Sequence, residues 1–326
     1  MSFSSKSFTL QDLRRDFDHL LDRFRDLKTR AGTGASIEST KLWSYRKKLD
    51  SVNQMDSMDV TALVGIVNKY CLINTLFDAG ENIKVSQKKL LDLLDGKHIL
   101  QDDGEKYNHV FFELSMALRF AGGMRDGSVI DLSTDCDVIV HHQNLAIECK
   151  YLHSEKKLRN EFSIVIDQLE RRLGDAQEKI GMVAVDLTNL VDRHLIFDFA
   201  RSTFQEFAKN YELLIQSRSI LSREISEVGI LGSVIKDRNF INTVNSFSSH
   251  QAEAVFYRNF KSSEKEKLTH NKVAVLFQLS QALLFEYGGE AIFVPFRMMS
   301  YYINNDLDYD KYHEVKKRIH SLATGI

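Results

Sequence analysis

Phe8, Leu10, Leu13, Phe17, Leu20, Leu21, Phe24 and Leu27 recur at three- and four-residue spacing, which places them on one stripe of a helix. Thr9 and Asp12 make a capping pair at its start. The same spacing predicts further helices over 38–52, 58–78 and 84–95. The segment Arg30–Ser36 carries two glycines, but no Gly-Lys-Ser/Thr follows them, so it reads as a turn rather than a phosphate loop. The pattern changes near residue 105. A helix from Asn108 stops at Gly122 and Gly123. Three short β-branched, alternating runs follow (SVIDL, CDVIVH, LAIECKY) and read as strands. A charged helix over 158–179 and a buried strand over 181–187 complete the order helix, three strands, helix, strand, which is an α/β arrangement. Further on, 197–217 and 272–287 read as helices, and 228–235 and 291–299 as strands, the last with Pro295 at an edge or bulge.

Three regions result: a helical N-terminal region over 1–104, a core over 105–190, and an α/β C-terminal extension over 191–326 that completes or flanks the core. The length of 326 residues suits two units or one elaborated core. Lys and Arg total 43 against 45 Asp and Glu, so no global basic field exists, and a purely electrostatic nucleic-acid binder is excluded. A site-specific enzyme with local basic patches is not. The one proline excludes polyproline docking segments. No uninterrupted apolar run reaches the ~18 residues of a membrane span, and the N-terminus shows no apolar secretory core. Cys71, Cys136 and Cys149 form no Cys-x-x-Cys pair, so neither a disulfide framework nor a zinc site of usual spacing is expected, and a reduced cytoplasm is the simplest compartment.

The chemistry concentrates in residues 134–150. Treated as a hairpin, this segment has two plausible registers, which set Asp137 opposite either Glu148 or Lys150. Both put Asp137, Glu148 and Lys150 on one face, and both put Cys136, Val138, Val140, Leu145, Ile147 and Cys149 on the other. Two carboxylates on neighbouring strands, with the backbone carbonyl of Cys149, supply hard oxygen ligands suited to Mg²⁺ or Mn²⁺. A lysine two residues beyond the glutamate can hold or polarise a water for attack on a phosphodiester. An acid, any residue, then lysine also occurs at 26–28, 95–97, 155–157 and 314–316, but only Glu148-Cys149-Lys150 ends a strand-like run with an aspartate on the paired strand. Asp135 competes with Asp137 for the first carboxylate, and Asp131 is a third candidate.

Asp137 followed by Glu148-Cys149-Lys150 resembles the PD-(D/E)xK nuclease superfamily, with its restriction-endonuclease-like αβββαβ core and mixed sheet. The resemblance covers about 105–190 and lacks the proline before the aspartate, where Cys136 stands. It implies a metal-dependent nuclease, more readily of DNA than RNA, of the kind found in prokaryotic restriction or anti-phage defence. It also implies roles for Glu113, in the helix before the strands, as a metal-linked carboxylate, and for Gln168, in the helix after Lys150, near the phosphate. Lys156, Lys157, Arg159, Arg171 and Arg172 follow as candidate contacts to flanking phosphates. With no phosphate loop in the chain, any energy-dependent step would need a separate ATPase or helicase partner, and cutting both strands with one site per chain would favour a homodimer. The other reading is a non-catalytic nucleic-acid-binding or protein-interaction module on the same fold. Glu148 and Lys150 would then only neutralise each other on an exposed strand.

Overall fold

A computed structural model describes residues 8–32, 36–78, 82–97, 100, 105, 107–123, 129–134, 136–174, 179–217 and 220–322. The N-terminal region comprises α1 (Leu10–Arg30), α2 (Lys41–Asp50), α3 (Ser57–Cys71), α4 (Asn74–Asp78), a two-residue strand β1 (Ile83–Lys84) and α5 (Gln87–Leu91). The middle of the chain forms α6 (Tyr107–Gly123), β2 (Ile130–Asp131), β3 (Val138–Val140), β4 (Leu145–Tyr151), α7 (Glu155–Leu173) and β5 (Ile180–Asp186). The remainder forms α8 (Arg193–Gln216), α9 (Ile220–Val228), α10 (Ile230–Lys236), α11 (Arg238–Asn259), α12 (Ser262–Lys265), β6 (Lys272–Tyr287), β7 (Glu290–Ile303) and α13 (Tyr309–Leu322).

The seven strands form a single mixed sheet whose spatial order is the chain order, β1 to β7. β1 pairs parallel with β2, β2–β3–β4 is an antiparallel meander, β4, β5 and β6 run parallel, and β7 returns antiparallel to β6. All three regions therefore contribute to one sheet. Helices cover both faces, which is the layering that parallel strands require. On one face α1–α6 and α13 pack against Val138, Val140, Leu145, Ile147, Met182, Ala184 and Leu276. On the other, α7 and α11 pack against Ala146, Val183, Val185, Val275 and Phe277. The β6–β7 hairpin runs on past the end of β5, and α8, α10 and α11 close over its far half around Phe204, Phe240, Phe285 and Phe296.

The expected capping box opens α1, where Thr9 Oγ1 accepts from the Asp12 N–H and Asp12 accepts from the Thr9 N–H. Residues 57–78 have the length and apolarity of a membrane span, but α3 packs on α1 and β6 and buries Leu63, Val64, Val67 and Tyr70 in the core.

Two elements differ from the sequence expectation. Residues 228–235 hold no strand: α9 ends at Val228, Gly229 takes φ +80°, and α10 buries Leu231, Val234 and Ile235 at helical spacing. A short apolar run does not by itself distinguish the two states. Residues 272–287 are not helical but form β6. Its first half lies between β5 and β7 under helices on both faces, so Val273 to Gln278 are all buried and the alternation that marks a half-exposed strand is missing. Pro295 sits on β7, the last strand of the sheet, opposite Ala282.

Candidate functional site

The β3–β4 hairpin adopts the first of the two registers. Val138 pairs with Ile147 and Val140 with Leu145, so the next place along the ladder sets Asp137 against Glu148. The turn is four residues rather than two: His141–Gln143 form a 3-10 turn and Asn144 closes it at φ +49°, a left-handed position asparagine tolerates. β3 begins only at Val138, and Cys136 and Asp137 lie in the bend before it. The bend carries Cys136 to the side opposite the expected one. Its thiol hydrogen-bonds Glu148, and it packs with Ala146 rather than Val138.

Because β3 has not yet begun at Asp137, the Cys149 N–H of β4 meets the aspartate's Oδ2, at 2.8 Å, instead of a neighbouring backbone carbonyl. The Cys149 carbonyl leaves the strand on the same edge, as the N–H and C=O of one strand residue do. Glu148 is 1% exposed and is held by the Arg172 guanidinium of α7, which stands 3.8 Å from Asp137 as well. Lys150 projects on the Glu148 face and lies 3.3 Å from Glu161, also on α7. Glu161, Gln168 and Arg172 recur at helical spacing, so Gln168 lies on the stripe of α7 whose neighbours reach the site, although no contact places its own side chain there. Glu113 of α6 is 2.5 Å from the Lys89 ammonium of α5, and Lys89 also donates to the Leu132 carbonyl. Among the described residues, no three His, Cys, Asp or Glu side chains converge as a metal group.

The electrostatics tie the carboxylates together. Burial pushes Asp137 up from the usual aspartate range, against the pull of the Cys149 N–H and the surrounding cations. Burial, then the charge on Asp137, pushes Glu113 up. Burial and the same neighbour push Glu148 up to about 7, and Arg172 offsets only part of this. Three carboxylates are thus held near one another in a partly dry setting by Lys89, Lys150 and Arg172. Hard oxygen donors that resist carrying their charges side by side are the donor chemistry a divalent cation satisfies. Asp137, Glu148 and the Cys149 carbonyl are the oxygen donors such an ion would meet, and Arg172 occupies the place beside the two side chains in this structure. Glu113, as its pair with Lys89 stands, faces the group from its far side.

A raised folded-state pKa means the native protein binds more protons than the unfolded chain between Glu148's ordinary value and about 7. Stability from this group is complete below that window and falls as pH rises through it. The thermal midpoint of EDTA-treated protein is therefore expected to decline from pH 5 to pH 8. Glu148→Gln should flatten the decline; an equally steep slope in that variant would refute the assignment.

Other candidates fall elsewhere. Asp131 is occupied by the Ser133 N–H and hydroxyl and lies 3.4 Å from His141, so it serves its own turn. Asp135 and the side chains of Lys156, Lys157 and Arg159 lie outside the described residues. Arg171 is exposed. Cys149 is buried, with its thiol pushed far up by burial. Arg172 entered the sequence reading as a phosphate contact, whereas here it binds the carboxylates. Lys89 went unnoticed, and nothing in its local pattern marks it, because its partner lies in another helix. His109 and His153, 3.3 Å apart between α6 and the end of β4, were not foreseen as a pair. Burial, then His153 and Lys150, lowers His109 to about 4, so it stays neutral at ordinary pH.

Comparison of the chain with family models, with curated proteins and with solved structures finds no match. The class that the fold and site define is an α/β protein with a seven-stranded mixed sheet and a carboxylate–lysine constellation at the parting of β3 and β4.

Proposed function

We propose that this protein is a metal-dependent nuclease of the PD-(D/E)xK kind, acting on DNA in prokaryotic restriction or anti-phage defence. The observation that carries the reading is the seating of Asp137 on the Cys149 N–H, which brings an aspartate beside Glu148 on the strand that also presents Lys150. The order α6, β2–β3–β4, α7, β5 follows the αβββαβ succession of that superfamily. Asp137, Glu148 and the Cys149 carbonyl would hold Mg²⁺ or Mn²⁺, with Glu113 in support. The ion would supply Lewis-acid stabilisation of the charge that grows on the phosphate. Lys150 orients the attacking water, its ammonium steadied meanwhile by Glu161. The water oxygen bonds to phosphorus, the ester bond to the leaving oxygen breaks, and a proton passes to that oxygen. Gln168 is proposed to contact the phosphate from α7. A homodimer would cut both strands, and a separate ATPase or helicase would supply any unwinding. The expected compartment is the cytoplasm.

A non-catalytic binding or interaction module remains the second reading, and one observation favours it: Arg172 already neutralises Glu148 and sits beside Asp137, as in a purely structural ion cluster. Incubating the protein with linear and circular DNA, and with RNA, in Mg²⁺, Mn²⁺ or EDTA separates the two. Cleavage that needs the divalent ion is the expected result. Intact DNA and RNA under every metal, with the protein alone and with the products of its neighbouring genes, would leave the second reading standing.

A further inference from the structure

On the opposite face of β4 from Lys150 lies a cavity of about 220 Å³. Its floor is a row of in-register neighbours at the carboxyl ends of two parallel strands: Tyr151 on β4, Asp186 on β5 and Gln278 beside them on β6. One step further, Ser280 pairs with Arg297 of β7, which faces into the same space. α3 and α6 roof it with Ile66, Phe111 and Phe112, and the start of α8 adds Arg193 and Phe197. Crevices outside the carboxyl ends of parallel strands are where open α/β sheets take ligands.

Basic side chains predominate over acids among the described residues that line this space. Lys69, Arg193 and Arg297 line it, and Arg119, 6% exposed, lies close enough to repel Arg297. Asp186 is the one acid among the described lining residues, and both its oxygens are taken, by the Gln278 amide at 2.7 Å and the Thr188 N–H at 2.8 Å. Among the described residues Arg297 has no ion pair or hydrogen bond, and the buried Nε of Arg119 has no acceptor. Burial, then its neighbour Arg119, pulls Arg297 down to about 9. One group on the floor is also left over, the amide oxygen of Gln278. Unpaired buried polar groups are costly, and native proteins keep them mainly where something outside the chain completes them.

We propose that this cavity binds a small organic anion of the mononucleotide class, with its phosphate on Arg297 and a flat heterocyclic body between the apolar walls. A guanidinium fork matches phosphate oxygens, and a cavity this size exceeds by far the ~10–15 Å³ that one water needs. The aromatic walls suit a ring, and the leftover Gln278 oxygen can accept from an N–H on a base edge. The site is independent of the nuclease reading. It uses the other face of β4, and its test requires no cleavage.

The experiment is calorimetric titration and thermal shift of the full chain with adenosine monophosphate, guanosine monophosphate, cytidine monophosphate, inorganic phosphate and octanoate. At least one nucleotide is expected to bind saturably and raise the melting temperature, more strongly than inorganic phosphate. Arg297→Met should weaken that binding by about tenfold or more, the loss expected for a charge-assisted hydrogen bond. The same variant should melt no lower than wild type without ligand, because it removes an unpaired, half-buried charge. Octanoate binding more tightly than every nucleotide would overturn the heterocyclic class. Failure of all probes at millimolar concentration, unaltered nucleotide binding in Arg297→Met, or a lower melting temperature of that variant without ligand would overturn the site.

Discussion

Lys150→Ala is expected to abolish divalent-dependent DNA cleavage while DNA binding persists. The ammonium lies on the Glu148 face of β4, 3.3 Å from Glu161, where it can orient a water but adds nothing to the sheet's core. Loss of one such group costs about 10²–10⁴-fold in rate. A gel-based cleavage assay run beside a binding titration in Ca²⁺ reads both quantities. Asp137→Ala and Glu148→Ala should lose metal affinity as well as cutting, which isothermal titration with Mn²⁺ would detect. An inactive Asp135→Ala together with an active Asp137→Ala would transfer the carboxylate role to Asp135. Cleavage by Lys150→Ala at the wild-type rate would remove lysine from the mechanism.

Phe256→Ala should produce the largest loss of stability. Phe256 is fully buried on α11, stacks on Phe277 of β6 at 4.1 Å and on Phe260 at 4.8 Å, and meets Phe162 of α7 edge-on at 5.8 Å. It thus joins two helices to the middle of the sheet. Truncating a buried phenylalanine costs about 3–5 kcal/mol, part lost transfer energy and part cavity. Urea denaturation followed by tryptophan fluorescence or circular dichroism measures the shift. A midpoint unchanged within error would mean that the site collapses around the smaller side chain. Phe256→Leu should recover more than half of the loss.

Parts of this structure were legible in the chain because the pattern there is local. The stripe from Leu13 to Leu27, the capping pair at Thr9, the helix that begins at Tyr107, and the buried run at 181–187 depend on neighbours within a turn or a strand. The hairpin register was also legible, down to two choices, because a slip would drive Val138, Val140, Leu145 and Ile147 out of the core. What failed depended on distant partners. β6 is apolar on both faces only because helices from both ends of the chain cover it, and its own composition carries no period. Cys136 followed the bend rather than the strand, since pairing starts two residues later than alternation assumes. Asp137, Glu148 and Lys150 came together as their spacing implied. The cations that hold the carboxylates, Lys89 and Arg172, come from separate helices, and no short motif joins them to the acids.

The coincidence of spatial and chain order in the sheet bears on how the molecule is made. Each strand docks on the one synthesised just before it, so no strand has to wait for a later one to be inserted beside it. Pairing can therefore proceed forward as the chain leaves the ribosome, though the β5 edge must wait for the helices between Asp186 and Lys272 to emerge before β6 covers it. Some contacts run against that direction, among them α3 on β6. Phe8, ahead of the first helix, bridges to Phe293 of the last strand and stacks on its ring at 6.1 Å. Phe8 can take its final place only after the hairpin that ends the sheet has emerged, so this bridge is among the last contacts to form.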